Sequence, residues 1–200
     1  MKKAERNTRK RILESIYRDI KLNGFRACRP DKVIAELNIT KGALYYYFPN
    51  KLVLGYAVVD EILKPGYLEY WQPLKEFEGN AIDFLIQRLR NIQKFFNQSN
   101  EAMVGSPLSN LIQEMAPQDE GFRERLESVV KKIQEIVTDA LRRSQEKGFI
   151  NNEINPQRLA WFYISSIEGS YNLAKVSNDK TIFVESLNCL AEQLEEMKNK

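Results

Sequence analysis

The sequence predicts an all-α protein, and three observations predict it. Apolar residues recur with the helical period of 3.6 in almost every segment. No stretch shows the period-2 alternation between turn residues that marks a half-buried strand. The nine Gly and seven Pro fall mostly between the periodic segments, where they act as punctuation. With 200 residues, 43% hydrophobic and 28% charged, the chain has a globular balance and enough length for one sizeable core or two small ones.

The first helix runs from Thr8 to Leu22 on an apolar stripe of Ile12, Leu13, Ile16, Tyr17 and Ile20. Asn23-Gly24 stops it, because both residues tolerate the left-handed conformation of a helix end, and Phe25 folds back as a core anchor. Pro30 suits a first turn, so a second helix runs to Leu37 with Val33, Ile34 and Leu37 inward. After a tight turn at Asn38-Ile39, Thr40 is an N-cap for a third short helix, Lys41 to Tyr47. Pro49-Asn50 separates this from a fourth helix, Lys51 to Leu63, and Lys64-Pro65-Gly66 reads as a kink or domain edge. Further helices follow at about 67–75, 80–98, 107–115, 120–147, 156–175 and 180–197. The longest of them buries one face through Phe122, Leu126, Val129, Val130, Ile133, Ile136, Val137 and Leu141.

Charge divides the chain. The formal net charge is only +3, yet residues 1–51 hold 13 Lys+Arg against 5 Asp+Glu, and the remaining 149 residues hold 17 against 22. A segment of +8 joined to one of −5 suggests an arm for a polyanion and a body with another task. There is no His, which removes Ser-His-Asp and Cys-His nucleophiles, His-liganded zinc and an imidazole switch. Cys28 and Cys189 are too few for an all-cysteine metal site and too far apart for a CxxC pair, as expected of a reduced cytoplasmic protein. No apolar run approaches the roughly 20 residues of a membrane span, and the basic start leads into no apolar signal segment. Neither a metal nor a cofactor is expected.

The second and third helices, about eight and seven residues long with a short turn between them, have helix-turn-helix spacing, although a plain three-helix core has it too. The third helix distinguishes the two. Leu44 and Phe48 lie four apart and point inward, which leaves Thr40, Lys41, Gly42, Ala43, Tyr45 and Tyr46 facing out at the helix start. Small residues let that end approach a groove, and its dipole favours phosphate. Tyrosine hydroxyls and Lys51 hold phosphates and set register, while Lys41 is the best reader of guanine acceptors.

The run Val33-Ile34-Ala35-Glu36-Leu37-Asn38-Ile39-Thr40-Lys41-Gly42-Ala43-Leu44-Tyr45-Tyr46-Tyr47-Phe48-Pro49-Asn50-Lys51 closely resembles the TetR-family signature, as does the first helix ending in Gly24-Phe25. The resemblance is specific over about residues 8–62. It implies a DNA-binding homodimer on a palindromic operator, with a helix-turn-helix domain over 1–64 and a ligand-binding and dimerisation domain over 65–200. It implies no enzyme, and usually repression relieved by a small-molecule effector. Matched by position, Thr40, Lys41, Gly42, Ala43, Tyr45 and Tyr46 fall on the DNA-facing helix, and Lys51 on a phosphate-binding lysine. Three departures stand out: Asn38 replaces a turn Gly, Tyr47 stands where His is common, and Ala27-Cys28-Arg29-Pro30 replaces a small hydroxyl residue. The Tyr47 hydroxyl and Arg29 are then expected to supply phosphate contacts. Two other classes compete with this reading: a helical adaptor or architectural DNA binder without an effector, and a helical enzyme.

Aromatics at helical spacing are ordinary core residues one by one; collectively they suggest an apolar cavity. Trp71, Phe95, Met103, Met115 and Trp161 are the expected lining, with Glu114 and Glu168 orienting a cationic or hydroxylated ligand. The start of the 107–115 helix resembles that of relatives with a cysteine there; this chain has none, so thiol sensing at that place is not expected. The dimer face is expected on the last two helices, through Leu159, Phe162, Tyr163, Ser166, Gly169 and Ser170, then Phe183, Leu187, Leu190 and Leu194. The same residues also suit a seam within one subunit.

Overall fold

The computed structural model describes residues 2–98 and 104–199, and among them it is helical throughout, with one isolated bridge between Ile150 and Lys198. The helices are α1 (Lys2–Asn23), α2 (Pro30–Leu37), α3 (Lys41–Tyr47), α4 (Lys51–Val58), α5 (Lys64–Lys75), α6 (Ala81–Gln98), α7 (Pro107–Met115), α8 (Glu120–Glu146), α9 (Pro156–Ser177) and α10 (Lys180–Glu195). None of those described is long and apolar enough to cross a membrane.

Two compact units emerge. The first comprises Met1–Tyr67 and Pro107–Val129; the second comprises Leu68–Ser106 and Val130–Lys200. The expected single cut at 64/65 is therefore displaced by three residues, and α7 with the start of α8 joins the amino-terminal helices. Contacts distant in sequence explain that membership, among them Glu114 with the Phe25 and Arg26 amides and Phe122 with Phe25.

In the first unit α1 buries Ile12, Leu13, Ile16 and Ile20, the stripe its sequence spacing defines. Gly24 takes a φ of +84°, a conformation that costs an L side chain about 1–2 kcal/mol, and this turns Phe25 inward against Phe122, ring centroids 4.8 Å apart. Gly55 on α4 lies against the same rings: a Cβ there would stand 2.4 Å from Phe25 and 2.6 Å from Phe122. The backbone does not break at Lys64-Pro65-Gly66. Instead α4 widens into a π-helical turn, Val59–Leu63, and runs on into α5. The Lys64 N–H reaches back five residues to the Val59 carbonyl, so the hydrogen-bond ladder is already shifted where Pro65 lacks a donor.

In the second unit α10 packs on α9 and α6. Phe183 sits in an aromatic cluster with Tyr171 and Phe96, centroids 4.4 and 4.6 Å away. Tyr163 is fully buried and its hydroxyl donates to the Leu85 carbonyl at 3.2 Å. The first turn of α6 is capped from α8, where the Ser144 hydroxyl oxygen accepts the Ala81 N–H at 2.8 Å.

Candidate nucleic-acid interface

The α2–α3 pair is a helix-turn-helix in its backbone. Asn38 ends α2 in the left-handed conformation, φ 50° and ψ 50°, which Asn tolerates best after Gly. Thr40 then starts α3: its hydroxyl oxygen accepts the Ala43 N–H at 3.1 Å. Leu44 and Phe48 are buried, which fixes the rotation of α3 and turns its other face outward.

That outward face carries the residues expected there. Thr40, Lys41, Gly42, Tyr45 and Tyr46 are exposed, Ala43 and Tyr47 half-buried. Tyr46 is 77% exposed, a large cost for an aromatic side chain that serves only the fold of one subunit. Gly42 adds an independent sign. A Cβ placed there would meet only the Thr40 hydroxyl, at the ordinary distance of 3.9 Å, so internal packing does not require glycine. Lys41 leans over the Tyr45 ring with its ammonium 5.9 Å from the centroid.

The supports behind this face are ionic and long in sequence. The Glu114 carboxylate on α7 accepts the N–H groups of both Phe25 and Arg26, each at 2.7 Å, and so grips the turn between α1 and α2. Gly24 is needed for that approach, since a Cβ there would lie 2.9 Å from a Glu114 oxygen. Lys51 at the start of α4 donates to the Arg26 carbonyl at 2.9 Å and lies over the Phe25 ring. Glu36 of α2 accepts from Ser15 at 2.8 Å and Arg18 at 2.7 Å on α1. Arg9 pairs with Glu61, and Arg125 of α8 pairs with Asp60 at 2.9 Å. The Tyr56 hydroxyl donates to Asp119 at 2.7 Å, which helps hold that carboxyl below the usual carboxylate range. Sequence reasoning missed Glu114 as a support because its partners are backbone amides nearly ninety positions away.

Arg29 is exposed at the N-cap of α2, where its side chain makes no capping bond and its own N–H donates to Asp19. Cys28 is buried beneath it. Burial and a hydrogen bond with Asp19 push its thiol up to about 12, so the nearby arginines do not create a thiolate.

The residues expected around an effector differ in burial and belong to both units. Trp71 and Met115 are buried, in the second and first unit respectively, while Phe95 and Trp161 are 60% and 43% exposed. Met103 lies outside the described residues. Glu114 is engaged by the α1–α2 turn. Glu168 is half-buried; burial pushes its carboxyl up, one oxygen is held by Ser106, and Oε2 is buried without a partner. Of the ten residues expected at a dimer face, Leu159, Tyr163, Ser170, Phe183, Leu187, Leu190 and Leu194 are buried within the subunit. Phe162, Ser166 and Gly169 remain on an accessible side of α9, which continues through Leu173 and Val176.

Comparison with known proteins agrees with this geometry. Residues 86–189 match the family model described as "Tetracyclin repressor-like, C-terminal domain". An uncharacterized HTH-type transcriptional regulator in the lacX 3'region of Lactococcus lactis subsp. lactis is 25% identical over 98% of this chain and 97% of its own. The uncharacterized HTH-type transcriptional regulator YxaF of Bacillus subtilis (strain 168) is 26% identical over 88% of each. A TetR transcriptional regulator from Chloroflexus aurantiacus J-10-FL superimposes with a TM-score of 0.84 at 21% identity, covering 99% of this chain and 98% of that one.

Proposed function

The chain belongs to the TetR family of DNA-binding transcriptional regulators, and from that premise we propose that it is a repressor that binds a palindromic operator as a homodimer and leaves it when a small molecule binds the second unit. The observation that carries the reading is the α3 face: exposed tyrosines, a lysine, and a glycine that packing within the subunit does not require. Lys41 reads base edges at the amino end of α3. Tyr45, Tyr46, Tyr47, Arg29 and the two spare donors of the Lys51 ammonium hold phosphates and set register. Effector binding moves the body helices and α4, and so changes the spacing of the two recognition helices.

The second copy supplies that spacing. One recognition helix of two turns covers few bases, whereas two related by symmetry, about 34–36 Å apart, read both half-sites. The α9 stripe supports a second copy as the partner. Phe162, Ser166, Gly169, Leu173 and Val176 recur at intervals of four and three, the period of one helix face, and Val176 is 89% exposed. Small Ser and Gly at its centre permit close helix approach.

Fluorescence anisotropy with duplexes from the DNA beside its coding sequence tests the reading. Lys41→Ala weakens binding unequally across operator variants. Lys51→Ala weakens it uniformly and lowers the salt slope by about one unit. Equal behaviour of the two variants overturns these roles, and failure of the folded protein to bind any duplex at low salt overturns the function.

A further inference from the structure

We propose that a cleft between α5 and α6 is a binding site for a small monocarboxylate with a flat apolar body, and that such an acid is the effector class. The second clause rests on the regulator function proposed above; the first stands on the cleft alone.

The cleft has a volume of about 410 Å³ and is lined by Glu69, Tyr70, Pro73, Phe84, Gln87, Arg88 and Asn91. Arg88 belongs to the apolar face of α6, between Leu85 and Leu89, and is only 8% exposed. Its guanidinium lies over Tyr70 at 3.7 Å, Trp71 at 4.8 Å and Phe84 at 5.1 Å. One terminal nitrogen donates to the Tyr70 carbonyl, yet Nε is buried with no acceptor. No carboxylate among the described residues forms an ion pair with it.

A buried cation without a counter-charge is expensive, and aromatic faces offset only part of that cost. A ligand carboxylate beside Arg88 supplies both the missing charge and an acceptor for Nε. The ring walls and Pro73 select a flat apolar body over a hydrated ion. Gln87 and Asn91, joined by a 3.0 Å hydrogen bond, and Glu69 are exposed. Because Glu69 is the one acid in the lining, a second carboxylate on the ligand meets a like charge, which favours monoacids over diacids.

Calorimetric titration of the full chain with sodium benzoate, benzamide, benzylamine and phthalate tests this. Benzoate binds at least about 10-fold more tightly than benzamide, the worth of one charge-assisted hydrogen bond, and phthalate and benzylamine bind more weakly than benzoate. Arg88→Gln removes the preference for benzoate over benzamide, and Arg88→Lys restores part of it. Gln87→Glu, a change on the exposed rim that leaves the core untouched, weakens benzoate and not benzamide, so the site stays testable if Arg88→Gln does not fold. Equal affinity for benzoate and benzamide, or no heat with benzoate at millimolar concentration, overturns the site. Anisotropy on operator DNA separates the two clauses. Benzoate that binds without releasing DNA overturns the effector role alone, whereas absent DNA binding with benzoate binding intact overturns the regulator function and the effector role with it, and leaves the site standing.

Discussion

The two units differ in where a buried polar atom is left without a partner. In the first, charged side chains find partners across long stretches of sequence: Glu114 on the Phe25 and Arg26 amides, Glu36 on Ser15 and Arg18, Arg125 on Asp60. In the second, Arg88 Nε and Glu168 Oε2 are buried with no partner, and they are the two such side-chain atoms among the described residues. A unit that presents a fixed face to DNA gains from rigidity, since phosphate contacts reward a set register. If the second unit answers a ligand, as proposed, unmet polar groups there have a use, because a group satisfied within the protein has nothing left to offer.

This contrast breaks most easily at the tightest contact of the first unit. Gly55→Ala puts a methyl group inside contact distance of Phe25 and Phe122, and is expected to cost about 3 kcal/mol in urea unfolding. An unchanged midpoint would show that α4 has slack there. Glu114→Ala comes next, at about 2 kcal/mol, because it frees one part-buried amide and one that water can reach. Operator affinity falls with it, since the α1–α2 turn loses its grip; a loss of stability with unaltered DNA affinity would detach Glu114 from the interface.

Gly42→Ala separates fold from function. The site has room for a methyl group, so thermal stability rises by about 0.5–1 kcal/mol from helix propensity, while operator binding weakens. A variant as stable and as tight on DNA as the parent would take α3 out of close approach. The smallest effect belongs to the second unit. Burial raises the Glu168 carboxyl above its ordinary value of 4.5, so the folded state holds that proton more tightly than the unfolded chain. Its contribution to stability is present at low pH and is lost as pH rises through the raised value. Glu168→Gln is therefore more stable than the parent near about pH 8, with the gap closing toward about pH 4. A gap independent of pH would mean that Glu168 finds a partner in solution.

The recognition element was legible in the sequence because its signals are local. Pro30, Asn38 and Thr40 set the ends of α2 and α3 through their own backbone and side-chain chemistry, and the structure puts those ends at the residues expected. Pro65 misled for the same local reason: a shifted ladder upstream, which the sequence does not display, removes the cost of its missing donor. The dimer face expected on the last two helices falls largely on residues buried within the subunit, since Leu159 and Tyr163 carry the same apolar signal as Phe162. Arg88 left a trace that aromatic counting passed over: a charge at a position where the α6 pattern demands an apolar residue. What no periodicity encodes is which distant partner satisfies a carboxylate, and there Glu114 was assigned to a ligand while the structure engages it with backbone.

The most direct test of the account compares the parent protein on two duplexes of equal length, one from the DNA adjoining its coding sequence and one scrambled, by anisotropy at physiological salt. A family regulator with α3 as its reading face binds the first tighter by at least about 10³-fold. Equal affinity for both duplexes would reduce the basic segment to a non-specific polyanion binder and contradict the account.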